Sequence, residues 1–171
     1  MKIVSIFGKK LYACQYNGQA HNEYARLMDL WADAFYLRGY AQENNISDIR
    51  EFVRDIREDA KFIDDLMEKI SKGNNALESF FRPLNDLEMG TKILSLQKGK
   101  RYKLRIYAIK LDENLFLITG GAIKLTHKMK EHNDTKVEKD KLELVKTYLK
   151  NNFIFDSDSF YELINEDYED Q

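Results

Sequence analysis

The stretch RYKLRIYAIKLDENLFLIT, residues 101–119, constrains the fold more tightly than any other part of the chain. Apolar and polar residues alternate from Arg101 to Lys110 and the pattern resumes from Leu115 to Thr119, so two strands are expected with Asp112-Glu113-Asn114 as the turn between them. A period of two places Leu104, Ile106 and Ala108 on one face, and Arg101, Lys103, Arg105, Tyr107 and Ile109 on the other. Ile93–Gln97 reads as a third strand, with Gly99 in the connection, which makes an antiparallel meander. Gly120-Gly121 is expected to leave the sheet through a tight turn into the basic segment Ala122-Ile123-Lys124-Leu125-Thr126-His127-Lys128.

The rest of the chain must cover that sheet. Lys2–Phe7 and Lys10–Tyr16 form an expected hairpin around Gly8-Lys9, and Asn17-Gly18 marks the next turn. From His21 to Asn44 the spacing of Tyr24, Leu27, Met28, Trp31, Phe35 and Leu37 predicts one helix, weakened near its end by Gly39. Ser47 is the expected N-cap of a second helix built on Phe52, Val53, Ile56, Ala60, Ile63, Leu66 and Met67, with Gly73 placed to stop it. The short connection predicts an antiparallel helical pair. A short helix is expected over Ala76–Phe81, ended by Pro83, and a longer one over Lys136–Asn151. The tail from Phe153 to Gln171 is either a docked short helix or a mobile acidic extension. These elements predict an α+β fold: an antiparallel sheet packed against a helical hairpin and a C-terminal helix. A chain of 171 residues accommodates this as one domain, comprising residues 1–80, a basic part at 81–152 and an acidic tail at 153–171.

Charge is unevenly distributed. Residues 92–152 carry 15 Lys and Arg against 7 Asp and Glu, whereas residues 153–171 carry 7 acids and no base. A positive block of that size points to an anionic partner, although a solvated lysine-rich helix contributes part of it. The carboxylates between Glu51 and Asp65 alternate with Arg50, Arg54, Arg57 and Lys61 at helical spacing, which is the pattern of solvated ion pairs and not of a metal site. His127 and His132 are five residues apart with no cysteine beside them, so no zinc site and no cofactor are expected. A single cysteine, Cys14, excludes an internal disulfide and suits a reducing compartment. No apolar run reaches membrane length and MKIVSIFGKK is too short in its apolar part for a signal peptide, so a cytoplasmic chain without a membrane partner is expected.

Three sequence features resemble the RelE superfamily of toxin–antitoxin toxins, above all its HigB branch with phage-derived relatives. They are Phe81-Arg82-Pro83-Leu84, the strand Leu104-Arg105-Ile106-Tyr107, and Gly121-Ala122-Ile123-Lys124-Leu125-Thr126-His127-Lys128, spread over residues 81 to 152. Three positions depart from the branch: Gly120 stands where a histidine is common, Ala122 replaces phenylalanine, and Leu125 replaces one of two paired lysines. The resemblance implies metal-independent cleavage of messenger RNA on the ribosome, with a cognate antitoxin protein as partner. In that scheme Lys103, Arg105, Lys124 and His127 carry the catalysis, while Arg101, Tyr107, Thr126 and Lys128 hold substrate. Lys103 and Arg105 equally suit the exposed face of a half-buried sheet, and His127 an ordinary surface position. A catalytically silent relative that binds nucleic acid or protein with the same face is the alternative.

Overall fold

The computed structural model describes residues 1–72, 81–83, 92–96, 103–125 and 133–169. The chain runs β1 (Lys2–Phe7), β2 (Leu11–Gln15), α1 (Glu23–Ala32), α2 (Ala34–Glu43), α3 (Ile49–Lys72), β3 (Phe81–Pro83), β4 (Lys92–Leu96), β5 (Leu104–Asp112), β6 (Leu115–Ile123), α4 (Asn133–Asn151) and α5 (Ser157–Glu169). The strands form one sheet in the order β1-β2-β6-β5-β4-β3. The α+β class, the N-terminal hairpin and the meander follow the expectation from sequence. The sheet is mixed, however: β2 and β6 run parallel, Leu11 beside Phe116 and Ala13 beside Ile118. The three helices after β2 carry the chain across to the far edge of the sheet at β3, and the strands β3 to β6 then step back until β6 lies beside β2.

Helices cover both faces. Leu11, Ala13, Leu104, Ile106, Ala108, Phe116 and Ile118 pack against Leu27, Trp31, Leu37, Phe52, Ile56 and Met67 of α1–α3. On the opposite face Tyr12, Cys14, Ile109, Leu115 and Leu117 pack against Val145 and Leu149 of α4 and Phe160 and Ile164 of α5. The tail is therefore docked, through an apolar stripe whose Phe160 meets Tyr12 edge-on at 4.9 Å between ring centroids. Tyr161 donates to the Lys9 carbonyl at 2.7 Å, so α5 sits near the β1–β2 turn, at the opposite end of the sheet from Arg105 and Lys124. It does not fold over that basic end.

Several local expectations are corrected. Residues 21–44 form two helices, because Asp33 leaves helical geometry (φ −74°, ψ 108°) and its carboxylate accepts from the amides of Phe35 at 2.7 Å and Tyr36 at 3.3 Å. Such a cap contributes about 1 kcal/mol, enough to override the apolar periodicity that runs through it. α3 is capped by Asp48, not Ser47: its carboxylate accepts from the Glu51 amide at 2.9 Å. The antiparallel pairing holds, since Tyr24 at the start of α1 reaches Asp64 late in α3, while Tyr40 late in α2 stacks on Phe52 early in α3. Phe81 and Pro83 belong to a strand at the sheet edge, where a missing amide donor is tolerated, and not to a helix end. The remainder of the expected helix at 76–81, together with Gly73 and Gly99, lies outside the described residues.

The glycine pair does not turn the chain out of the sheet; β6 continues through it to Ile123. Thr119 is the extra residue of a bulge, since Tyr107 pairs with Gly120 while Ala108 pairs with Ile118. Gly120 consequently faces α4 and Gly121 faces α1. A methyl group on Gly121 would stand 2.6 Å from the Arg105 carbonyl oxygen, 2.8 Å from Leu27 Cδ1 and 3.0 Å from the Trp31 ring.

Gly121→Ala should therefore destabilise the protein by about 1–3 kcal/mol, a fall of several degrees in Tm by calorimetry. The end of α4 makes the opposite prediction. Ile154 donates back to the Leu149 carbonyl at 2.9 Å and Phe153 lies between them at φ +57°, a left-handed position filled by an exposed phenylalanine. Phe153→Gly should raise stability by about 1 kcal/mol, and a lower Tm would show that the ring contributes packing there.

Candidate functional site

The bulge at Thr119 organises one end of the sheet on the α4 side. Arg105 and Tyr107 project there from β5, half-buried, opposite Ala122 and Gly120 of β6. Lys124 follows β6 directly, and its amide donates to the Lys103 carbonyl, extending the ladder by one bond. Burial first, then the charge of Arg105, lowers the Lys124 ammonium below the ordinary lysine range. Burial raises Tyr107, with Arg105 pulling in the other direction, so this phenol stays protonated and is a hydrogen-bond donor. A guanidinium, an ammonium of lowered proton affinity and a neutral phenol are thus gathered at one place.

Lys103 stands apart from that group. Its ammonium lies 3.0 Å from Asp55 of α3 and 5.5 Å from the centre of the Phe52 ring, and its amide donates to Asp59 at 2.8 Å. Burial would raise Asp55, but the hydrogen bond and charge of Lys103 outweigh it and lower the carboxyl. Lys103 precedes β5, so its side chain is free of the strand's alternation and turns toward the carboxylates of α3. Arg101, Thr126, His127 and Lys128 lie outside the described residues.

Beside Arg105 and Tyr107 lies a buried ionic cluster that spacing alone does not suggest. Glu23, in the first turn of α1 and fully buried, accepts from Arg26 through both oxygens at 2.7 and 2.8 Å, from Gln19 at 3.0 Å and from Lys141 of α4 at 2.9 Å. Burial opposes the charge on Glu23, but Arg26 and Lys141 outweigh it and hold the carboxyl below the usual range. Lys141 also donates to Glu138 Oε1 at 2.9 Å and lies 5.7 Å from the centre of the Tyr16 ring. Tyr16 in turn donates to the Thr119 carbonyl at 2.6 Å, tying the cluster to the bulge. Only 9% of Glu138 is exposed, and its Oε2 is buried with no hydrogen-bond partner among the described residues. That carboxyl rests on Gly120, where a methyl group would lie 1.8 Å from Oε2. Burial raises Glu138, against the influence of Lys141.

The sequence carried one half of this cluster, the Glu23–Arg26 and Glu138–Lys141 pairs at i,i+3. The contact between Glu23 and Lys141 joins residues 118 positions apart and has no local signal. Among the described residues no group of three or more His, Cys, Asp or Glu is placed to hold a metal ion, and no helix is long and apolar enough to cross a membrane. No family model, curated protein or solved structure matches the chain.

Glu138 supplies a pH test. A carboxyl raised on folding contributes stability that is fully present below its unfolded pKa and is lost as pH rises through its folded pKa. Glu138→Gln retains an oxygen for Lys141 and removes the titration. The variant should therefore gain Tm relative to the parent as pH rises from the ordinary carboxylate range toward neutrality and above. Parallel Tm-against-pH curves would mean that folding leaves the proton affinity of Glu138 unchanged.

Proposed function

We propose that the chain is the toxin of a toxin–antitoxin pair of RelE/HigB type, a cytoplasmic endoribonuclease that cuts messenger RNA on the ribosome and is neutralised by a cognate antitoxin protein. The observation that carries this is the gathering of Arg105, Tyr107 and Lys124 at one end of the β5–β6 ladder. RNA brings its own nucleophile. The 2′-hydroxyl gives its proton to a base and attacks the adjacent phosphorus; the 5′-oxygen departs with a proton, leaving a 2′,3′-cyclic phosphate. The protein has to align these atoms, move two protons and stabilise charge on the phosphorane.

Arg105 suits the charge on the non-bridging oxygens, since a guanidinium presents a fork of donors. Lys124, depressed by burial and by Arg105, is the proton-transfer group nearest to hand, with His127 as the second. Tyr107 donates a hydrogen bond or stacks on a base. Arg101, Thr126 and Lys128 belong to the substrate-binding part of the proposal, and Lys103 to its catalytic part. The pairing of Lys103 with Asp55 favours a second reading, in which the same face binds nucleic acid or protein without cutting it. The departures at Gly120, Ala122 and Leu125 lean the same way.

Expression of the parent chain should arrest growth and yield cleaved ribosome-associated message, whereas Arg105→Ala and Lys124→Ala should each lower cleavage by about 10²-fold or more. Salt-dependent RNA binding without cleavage by the parent would select the binding reading. Cleavage undiminished in both variants would reject the assigned site.

A further inference from the structure

The helical layer carries an open groove of about 790 Å³ where α1 gives way to α2 and both face α3. Met28, Ile49 and Val53 form part of its wall, each partly buried. Arg38, Arg50, Arg57 and Lys61 line it as exposed cations. Arg54 lies on the same rim, but Asp55 holds its guanidinium at 3.2 Å. Phe35 stands one helical turn before Arg38 and is 84% exposed, an apolar surface that solvent alone does not favour.

These features select among occupants. Arg38, Arg50, Arg54, Arg57 and Lys61 outnumber Asp29, Glu58 and Asp64 in the lining, so the groove keeps a positive balance; a polyphosphate chain would use that balance but leave the apolar wall unused. An enclosed small-molecule site would surround its ligand, whereas this groove lies open along the helices. A helix with an apolar stripe and acidic flanks uses both the apolar wall and the excess of cations: its stripe covers Met28 and Val53, and its carboxylates meet guanidinium forks. We propose that this groove docks an acidic amphipathic helix of a partner protein, anchored on Met28, Val53 and Phe35 and clamped by Arg50 and Arg57. Docking there is independent of the RNA chemistry proposed above, because none of these residues belongs to the strand end.

The test uses the full chain and a fluorescently labelled helix-forming peptide of about five turns, with leucines spaced i, i+3, i+4 and i+7 and glutamates on both flanks. Fluorescence anisotropy should report saturable binding. Arg50→Glu combined with Arg57→Glu should weaken it about tenfold or more, as should Val53→Asp, with circular dichroism and Tm confirming that each variant is folded. A peptide with lysine in place of glutamate should fail to bind the parent. Replacing the peptide leucines by serine should abolish binding; retained affinity there would mean that charge alone attracts the peptide, and would overturn the proposal. Absence of saturable binding would overturn it as well. So would a single-stranded RNA that binds more tightly and is lost with the same two arginines, which would make the groove a nucleic-acid site.

Discussion

The close approach that two adjacent glycines allow in the middle of a packed sheet is the constraint on which the rest of the structure depends. β6 is sandwiched, with α1 on one side and α4 on the other, and at Gly120 and Gly121 both layers come nearer than any side chain would permit. Trp31 and Leu27 close in on Gly121, and Glu138 closes in on Gly120. The bulge at Thr119 makes this possible, because it resets the alternation so that consecutive glycines face the two helices that need the space. It also separates an apolar part of β6, Leu115 to Ile118, from the end where Arg105, Tyr107 and Lys124 collect.

The ionic cluster is a consequence of that approach. Once Glu138 lies against the sheet, its charge has little access to water, and burying a lone carboxylate would cost several kcal/mol. Lys141 compensates Glu138 and Glu23, while Arg26 supplies Glu23 with a two-pronged bond. Such a network adds little net stability compared with an apolar replacement, since desolvation offsets most of the attraction. What it does is join specific partners: α1 and α4 belong to different layers, and Glu23 with Lys141 fixes their register at the sheet end. Oε2 of Glu138 has no hydrogen-bond partner among the described residues, and burial outweighs Lys141 so that the proton is held more tightly there.

What could be read from the sequence divides along the same physical line. Strands, their faces and the helices followed from periodicity, because burial imposes a period of two or 3.6 on any chain that packs a core. The split of α1 from α2 was hidden, since the apolar stripe continues through Asp33 while a single carboxylate ends one helix and begins the next. Gly120-Gly121 suggested a turn because glycine is commoner there, whereas here Gly120 answers to Glu138 on α4 and Gly121 to Leu27 and Trp31 on α1. The parallel pairing of β2 with β6 and the contact of Glu23 with Lys141 depend on how layers meet, and no local pattern encodes that. Of the proposed site, Arg105 and Tyr107 were legible as one face of a strand. The departure of Lys103 was not, because its destination lies on α3.

That departure changes what the positive block of the sequence means. Charge counted along a chain treats every lysine alike, but carboxylates from elsewhere neutralise several within the fold. Lys103 is matched by Asp55, Lys141 by Glu23 and Glu138, and Lys146 by Glu143. Among the described residues, Arg105 and Lys124 stand together at the strand end, two like charges near enough for one to lower the other's proton affinity. An anion between them would relieve that repulsion, and Tyr107 beside them offers a neutral donor. Among the described residues, what a count along the chain misses is this local pair, placed by a bulge and two glycines.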